Sequence, residues 1–168
     1  MITASQEEQM ENTHPFVTFT LKKNLFALSA MQVREILRMQ EIVPVPQSVF
    51  SFIEGVIHVR NRILPIVDLR KRLGFEIKNE TSNRIMVVRL PKALIGFVVD
   101  SVKEVVRISS GAIHEILESE RQELDAKLLS GIARVGQNLI LLPNLSALLK
   151  PDEHDRLAQI HKPSDENH

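Results

Sequence analysis

The chain has 168 residues, 43% of them hydrophobic and 25% charged, an ordinary globular composition with room for one domain or two very small ones. It contains no cysteine, which excludes disulfide frameworks, thiolate metal sites and cysteine nucleophiles, and its longest apolar run, Ala93 to Val99, is far shorter than the roughly 18 residues a spanning helix needs. The formal net charge of zero hides an uneven layout, because residues 15–150 carry 19 bases against 13 acids while both ends are acidic.

Residues 1–14 carry three acids and no base, without a charged-then-apolar secretory pattern, and are expected to form a disordered acidic N-terminus on a cytoplasmic protein. Short strands follow at Phe16–Leu21, Leu25–Leu28, Val33–Met39, Val56–Arg60 and Ile63–Val67, each rich in Val, Ile or Phe and bounded by Asn, Gly, Pro or Lys pairs. The strands around Arg60-Asn61-Arg62 read as a hairpin, since asparagine tolerates positive φ at a tight turn. Asp68 is placed as the N-cap of a short helix from Leu69 to Leu73, stopped by Gly74. After a bridge rich in Asn, Glu, Thr and Ser the pattern starts again. Its second hairpin turns at Gly136-Gln-Asn138, and Asn144 stands as the N-cap of Leu145–Leu149. Two helical stretches lie outside the pattern: Leu117 to Leu129, and Pro151 to Lys162 in the acidic tail of residues 151–168.

The recurrence is a repeat. At an offset of 69, Phe16-Val-Thr-Phe-Thr-Leu21 falls on Ile85-Met-Val-Val-Arg-Leu90, and Val33-Arg-Glu-Ile-Leu-Arg-Met39 on Val102-Lys-Glu-Val-Val-Arg-Ile108. At an offset of 76, Gly55-Val-Ile-His-Val59 falls on Gly131-Ile-Ala-Arg-Val135, and Asp68-Leu69 on Asn144-Leu145. One order of elements therefore occurs twice, at about 15–73 and 84–149. Five short strands and one helical turn per copy suit a small closed barrel, which removes exposed strand edges. The expected fold is mainly β: two similar five-stranded barrels joined by an apolar interface, because a unit of about 60 residues buries too little surface by itself.

Five bases, Arg60, Arg62, Arg70, Lys71 and Arg72, fall within thirteen residues. They read as a solvated basic face, as a contact for an acidic partner, or as a nucleic-acid or other polyanion site; the absence of Trp and Tyr weighs against the last. No catalytic motif is present. The six histidines show no helical metal-ligand pair in the repeat core, and no phosphate-binding glycine loop or nucleophile elbow occurs. Glu35, Asp68, Asp100 and Glu104 could pair for acid–base work, but structural positions explain them better, so no enzyme activity, cofactor or metal is expected.

The run Gly55-Val-Ile-His-Val-Arg-Asn-Arg-Ile-Leu-Pro-Ile-Val-Asp-Leu-Arg70 resembles the G-V-x-N-L-R-G-x-x-x-P-x-x-D-L-R signature of the CheW-like chemotaxis coupling family. Val33-Arg-Glu-Ile36, Gly96-Phe-Val-Val-Asp100 with Val102-Lys-Glu-Val105, and Gly131 with Leu139-Ile-Leu-Leu142 are similar to further segments of that family, so the resemblance spans roughly 15–150. It implies two SH3-like barrels and a non-catalytic adaptor recruited to membrane-associated receptor arrays. Its implied partners are the regulatory domain of a CheA-type histidine kinase and the cytoplasmic tip of methyl-accepting chemoreceptors, with no nucleic acid and no membrane insertion. Matched to the family's motifs, the partner-binding residues are Val33, Glu35, Ile36, Gly55, His58, Arg60, Asn61 and Arg62. Read without the resemblance, Val33 and Ile36 serve equally as core, Glu35 as a solvent-facing charge, Gly55 as a backbone requirement and Arg60 as a solvated turn. The sequence departs from the family pattern at His58 and Asn61, where N and G are usual, and at Pro143 in the last strand.

Overall fold

A computed structural model describes residues 3–4, 12–46, 52–116 and 128–160. The first repeat copy forms a hairpin of β1 (Thr13–Leu21) and β2 (Asn24–Ser29), a strand β3 (Val33–Arg38), a second hairpin of β4 (Gly55–Val59) and β5 (Arg62–Asp68), and a helical turn α1 (Leu69–Arg72). The second copy follows the same order: β6 (Arg84–Arg89) and β7 (Leu94–Val99), then β8 (Ser101–Ser109) with its continuation β9 (Ile113–Glu115), then β10 (Leu129–Val135) and β11 (Asn138–Pro143), and α2 (Leu145–Leu148). Helix α3 (Pro151–Ile160) ends the described chain. Thr13 and His14, assigned above to the N-terminal tail, belong to β1 and pair with Ser109 and Ile108. Of the expected helix at Leu117–Leu129, residues 117–127 lie outside the described residues, and Leu129 opens β10.

The copies do not each make their own barrel. One sheet has the order β8-β1-β2-β11-β10-β9 and the other β3-β6-β7-β5-β4, so each copy lends its first hairpin to the last three strands of the other. The exchange is symmetric: β3 pairs antiparallel with β6 as β8 does with β1, and β5 runs parallel to β7 as β11 does to β2. Only Asp100 separates β7 from β8, too short a connection for a hairpin, so the chain crosses there into the other sheet; Ala30–Gln32 make the equivalent crossing between β2 and β3. Each barrel closes through its third strand. Past a 3-10 turn at Ser110–Ala112, β9 reaches β10, and past β3 the chain returns at Val43, whose N–H and C=O bond to Val56 at 2.8 and 2.9 Å.

Period-two alternation then fills three cores. Ile57, Leu64, Ile66, Ile85, Val87 and Val98 pack inside one barrel, and Ala27, Ile108, Ala133, Ile140 and Leu142 inside the other. The largest cluster, which includes Phe19, Phe26, Met86, Val88, Ile95, Phe97 and Val99, lies between the barrels and also takes in Leu145, Leu148 and Leu157 of the helices. β6 and β7 are therefore buried on both faces, which explains why they read as nearly continuous apolar runs.

Polar groups pin the crossing point. Arg70 is only 2% exposed, and its Nε and Nη2 donate to the two carboxylate oxygens of Asp68, each at 2.9 Å. Its Nη1 donates to the Lys78 carbonyl at 2.9 Å, to Asn83 Oδ1 at 3.4 Å and to Asp100 Oδ1 at 3.3 Å. The hydrogen bonds to Asp68 outweigh the opposing effect of burial and raise the guanidinium pKa above its ordinary value. Asp100 in turn accepts from the Lys22 N–H at 2.5 Å, which ties the β1–β2 turn to α1. Asp68 also caps α1 by accepting from the Arg70 N–H at 3.0 Å, whereas Asn144 occupies the equivalent place before α2 without a side-chain cap bond.

Helix α3 docks through the fully buried Leu157, and Glu153 accepts from Arg72 Nη2 at 2.6 Å and from the Lys150 N–H at 2.8 Å. On its exposed side, Lys92 holds the Asp155 carboxyl below the usual carboxylate range. That pair supports the native state above the ordinary aspartate pKa, and its contribution is lost as the pH falls through the lowered value.

Candidate partner-binding surface

The surface begins at a bulge. β3 pairs Val33 with Val88 but Glu35 with Val87, so an extra residue turns the strand between them. Val33 consequently packs against the central core, while Leu37 packs into the barrel interior. Ile36 points outward and is 42% exposed. Glu35 is half-buried at the rim.

The β4–β5 hairpin supplies the opposite wall. Its two-residue turn places both Arg60 (φ 51°) and Asn61 (φ 63°) in the left-handed region, the requirement of a type I′ turn. Asparagine was expected there; the arginine conformation was not, and it costs about 1–2 kcal/mol for a residue with a Cβ. That turn aims Arg60 across the gap, where its Nη1 donates to Glu35 Oε2 at 2.7 Å. The Arg60 side chain is 76% exposed, so the pair adds only about 0.2–1 kcal/mol to stability. Between the walls lies a cleft of about 160 Å³, smaller than the roughly 300–1,000 Å³ of small-molecule sites.

The structure thus brings Glu35, Arg60 and Arg62 together around one cleft and places Asn61 at the turn that presents them. His58 and Ile63 are cross-strand partners on the outer face, both exposed. Gly55 is buried and does not line this cleft; at φ 153° a Cβ would run into the Val43 carbonyl and come within 2.8 Å of Ile42 Cγ2, so its role is to let the barrel close. Sequence reasoning missed Arg34, Val59, Leu64, Val87 and Leu94, which complete the cleft. Arg34 stood beside Glu35 in the quoted motif, but strict alternation put it on the opposite face, and only the bulge allows both to line one cleft.

The basic run is not one solvated face. Arg70 is buried, Lys71 pairs with Glu54, Arg72 pairs with Glu153 and Arg60 with Glu35; among the described residues only Arg62 of the five has no ion pair. A polyanion site built from all five has no support in this arrangement. Among the described residues no three His, Asp or Glu side chains cluster as metal ligands, and no helix is long and apolar enough to cross a membrane.

Comparison with known proteins agrees with this architecture. Residues 15–153 match the model of the CheW-like domain. The chain is 25% identical to the chemotaxis protein CheW of Treponema pallidum over 94% of its own length and 92% of that protein's, and 28% identical to that of Thermotoga maritima over 80% and 86%. Its structure superposes on the scaffolding protein TtCheW from Thermoanaerobacter tengcongensis with a TM-score of 0.73 at 28% identity, covering 84% of this chain and 95% of the other. Two SH3-like barrels with exchanged first hairpins, the V-x-E-I strand facing a hairpin arginine, and a domain match over nearly the whole length place the chain in the CheW-like family.

Proposed function

We propose that the chain is a non-catalytic cytoplasmic adaptor that couples methyl-accepting chemoreceptors to a CheA-type histidine kinase in receptor arrays. The match to the CheW-like domain over residues 15–153 carries this reading. The surface is physically suited to it. Ile36, Met39, Val43 and Ile63, on or next to strands of one barrel, are between 39% and 55% exposed. A small, rim-charged cleft beside large exposed apolar side chains fits protein docking, where buried anchors carry most of the affinity. The partner-facing residues under this reading are Glu35, Ile36, His58, Arg60, Asn61 and Arg62, with Val33 and Gly55 supporting the surface from beneath.

Titration calorimetry against the regulatory domain of the CheA-type kinase from the same organism, at two salt concentrations, tests the proposal. Micromolar or tighter one-to-one binding that survives salt is expected. Failure to bind any such kinase domain would remove the functional claim and leave the fold. A contact carried by phosphates would instead weaken by orders of magnitude between about 50 and 200 mM salt.

Arg60→Asp separates binding from folding. Aspartate tolerates the left-handed turn better than arginine, but it faces Glu35 with a like charge. The expected net change in stability is within about 1 kcal/mol, while affinity for the partner falls about tenfold or more. A variant that unfolds at ordinary temperature would make Arg60 structural.

A further inference from the structure

The repeat carries the cleft as well as the strands. A second cleft, of about 490 Å³, opens in the other barrel at the equivalent place. Its walls Leu25, Val135 and Ile140 answer Leu94, Val59 and Leu64 of the first, and Lys103 and Glu104 answer Arg34 and Glu35. The difference is at the hairpin turn. Where the first cleft has Arg60 and Arg62, the second has Gly136 and Asn138. Gly136 sits at φ 63°, close to the 51° of Arg60, but Gln137 does not share the left-handed conformation of Asn61, so the second turn is of a different type, and its first position delivers no side chain.

Glu104 is therefore an acid without its base. Its backbone is fixed on both sides by Thr18, whose Oγ1 donates to the Glu104 carbonyl at 2.7 Å and accepts from the Glu104 N–H at 3.0 Å. Among the described residues its carboxylate has no ion pair. Lys103 lies at the rim, but its counterpart Arg34 lines the first cleft beside the Arg60–Glu35 pair without taking the place of Arg60.

We infer that this second cleft receives an arginine side chain from a protein partner, with its guanidinium on Glu104 and its stem along the apolar walls. The occupant is specified by the chain itself, because the first cleft shows the complex already made, with an arginine presented from a tight turn onto the equivalent glutamate at 2.7 Å. The larger volume leaves room for the incoming side chain. A planar guanidinium matches a carboxylate in a way an ammonium does not, so arginine is preferred over lysine. The inference rests on the adaptor reading only for which protein supplies the arginine.

Two measurements test it. Acetyl-arginine amide, titrated into the isotope-labelled full chain, should shift the Glu104, Gly136 and Asn138 amides saturably. Acetyl-lysine amide should bind at least severalfold more weakly, and Glu104→Gln should weaken arginine binding about tenfold or more. Absence of saturable shifts at these amides, or equal binding by Glu104→Gln, overturns the inference. In calorimetry with the kinase regulatory domain, Glu104→Gln and Gly136→Arg, the second of which supplies the missing arginine from within, should each weaken binding about tenfold with the thermal midpoint of Glu104→Gln unchanged. A kinase domain that binds the full chain and both variants equally overturns the inference and leaves the adaptor reading standing. A kinase domain that does not bind at all, alongside Glu104-dependent arginine binding, removes the adaptor reading and supports the cleft.

Discussion

Arg70→Leu is expected to lower stability by about 3–5 kcal/mol, the cost of breaking a buried ion pair from one side. Leucine fills part of the volume, but it leaves Asp68 with both carboxylate oxygens stripped of their guanidinium bonds and Asp100 with one partner fewer. For a protein of this size the loss corresponds to roughly 10 °C in the thermal midpoint. Its location makes it more than a local defect. Asp100 is the single residue between β7 and β8, where the chain crosses from one barrel to the other, and Arg70 joins it to the end of β5. The orientation of the two barrels is therefore expected to loosen before either barrel melts, with faster amide exchange at Lys22 and Asp100 than inside the strands. A midpoint shift of only a degree or two in differential scanning calorimetry would show that water or a relaxed loop takes over the role of Arg70.

The burial of Arg70 is not written in its sequence neighbours. The residue follows Leu69 and precedes Lys71 and Arg72, and a short basic run in a chain with no other context reads as solvent-facing. Its burial depends on Asn83 and Asp100, thirteen and thirty residues away, which no local pattern connects to it. The local features, by contrast, were legible: the hairpin at Arg60-Asn61, the cap at Asp68 and the twofold order of strands all depend on neighbours in sequence. Alternation reports which face of a strand is buried, not which strand lies beside it. The exchange of first hairpins therefore could not be read, although β6 and β7, apolar on both faces, carried a trace of it. In the cleft, Glu35, Arg60 and Arg62 were singled out from motif positions, but the ion pair between the first two and the presence of Arg34 depend on barrel closure and a bulge. The second cleft stayed hidden for a related reason, since its defining feature is a glycine where the first copy has an arginine.

Gly55→Ala has the second large expected effect, and it connects the fold to the surface. At φ 153° the backbone of Gly55 is in a region that residues with a side chain avoid, at a cost of order 1–3 kcal/mol. The added methyl would also run into the Val43 carbonyl, which accepts the Val56 N–H in the bridge that closes this barrel. Giving up that pair of backbone bonds adds about 1–3 kcal/mol if their groups stay buried. The total is roughly 2–6 kcal/mol, and the comparison variant is Gly74→Ala. Gly74 also has positive φ, at 78°, but a methyl there meets nothing within 4 Å, so only the backbone penalty of about 1–2 kcal/mol is expected. The difference between the two variants in denaturant unfolding measures the steric clash together with any extra backbone penalty at the φ of Gly55. Because β4 leads directly into the turn that carries Arg60, displacing Gly55 also moves Arg60 away from Glu35. Partner affinity of Gly55→Ala should then fall even under conditions where the variant is fully folded, whereas Gly74→Ala should bind as the native chain does. Equal stability of the two variants would mean that Val43 yields to the methyl and that barrel closure tolerates a side chain at this position.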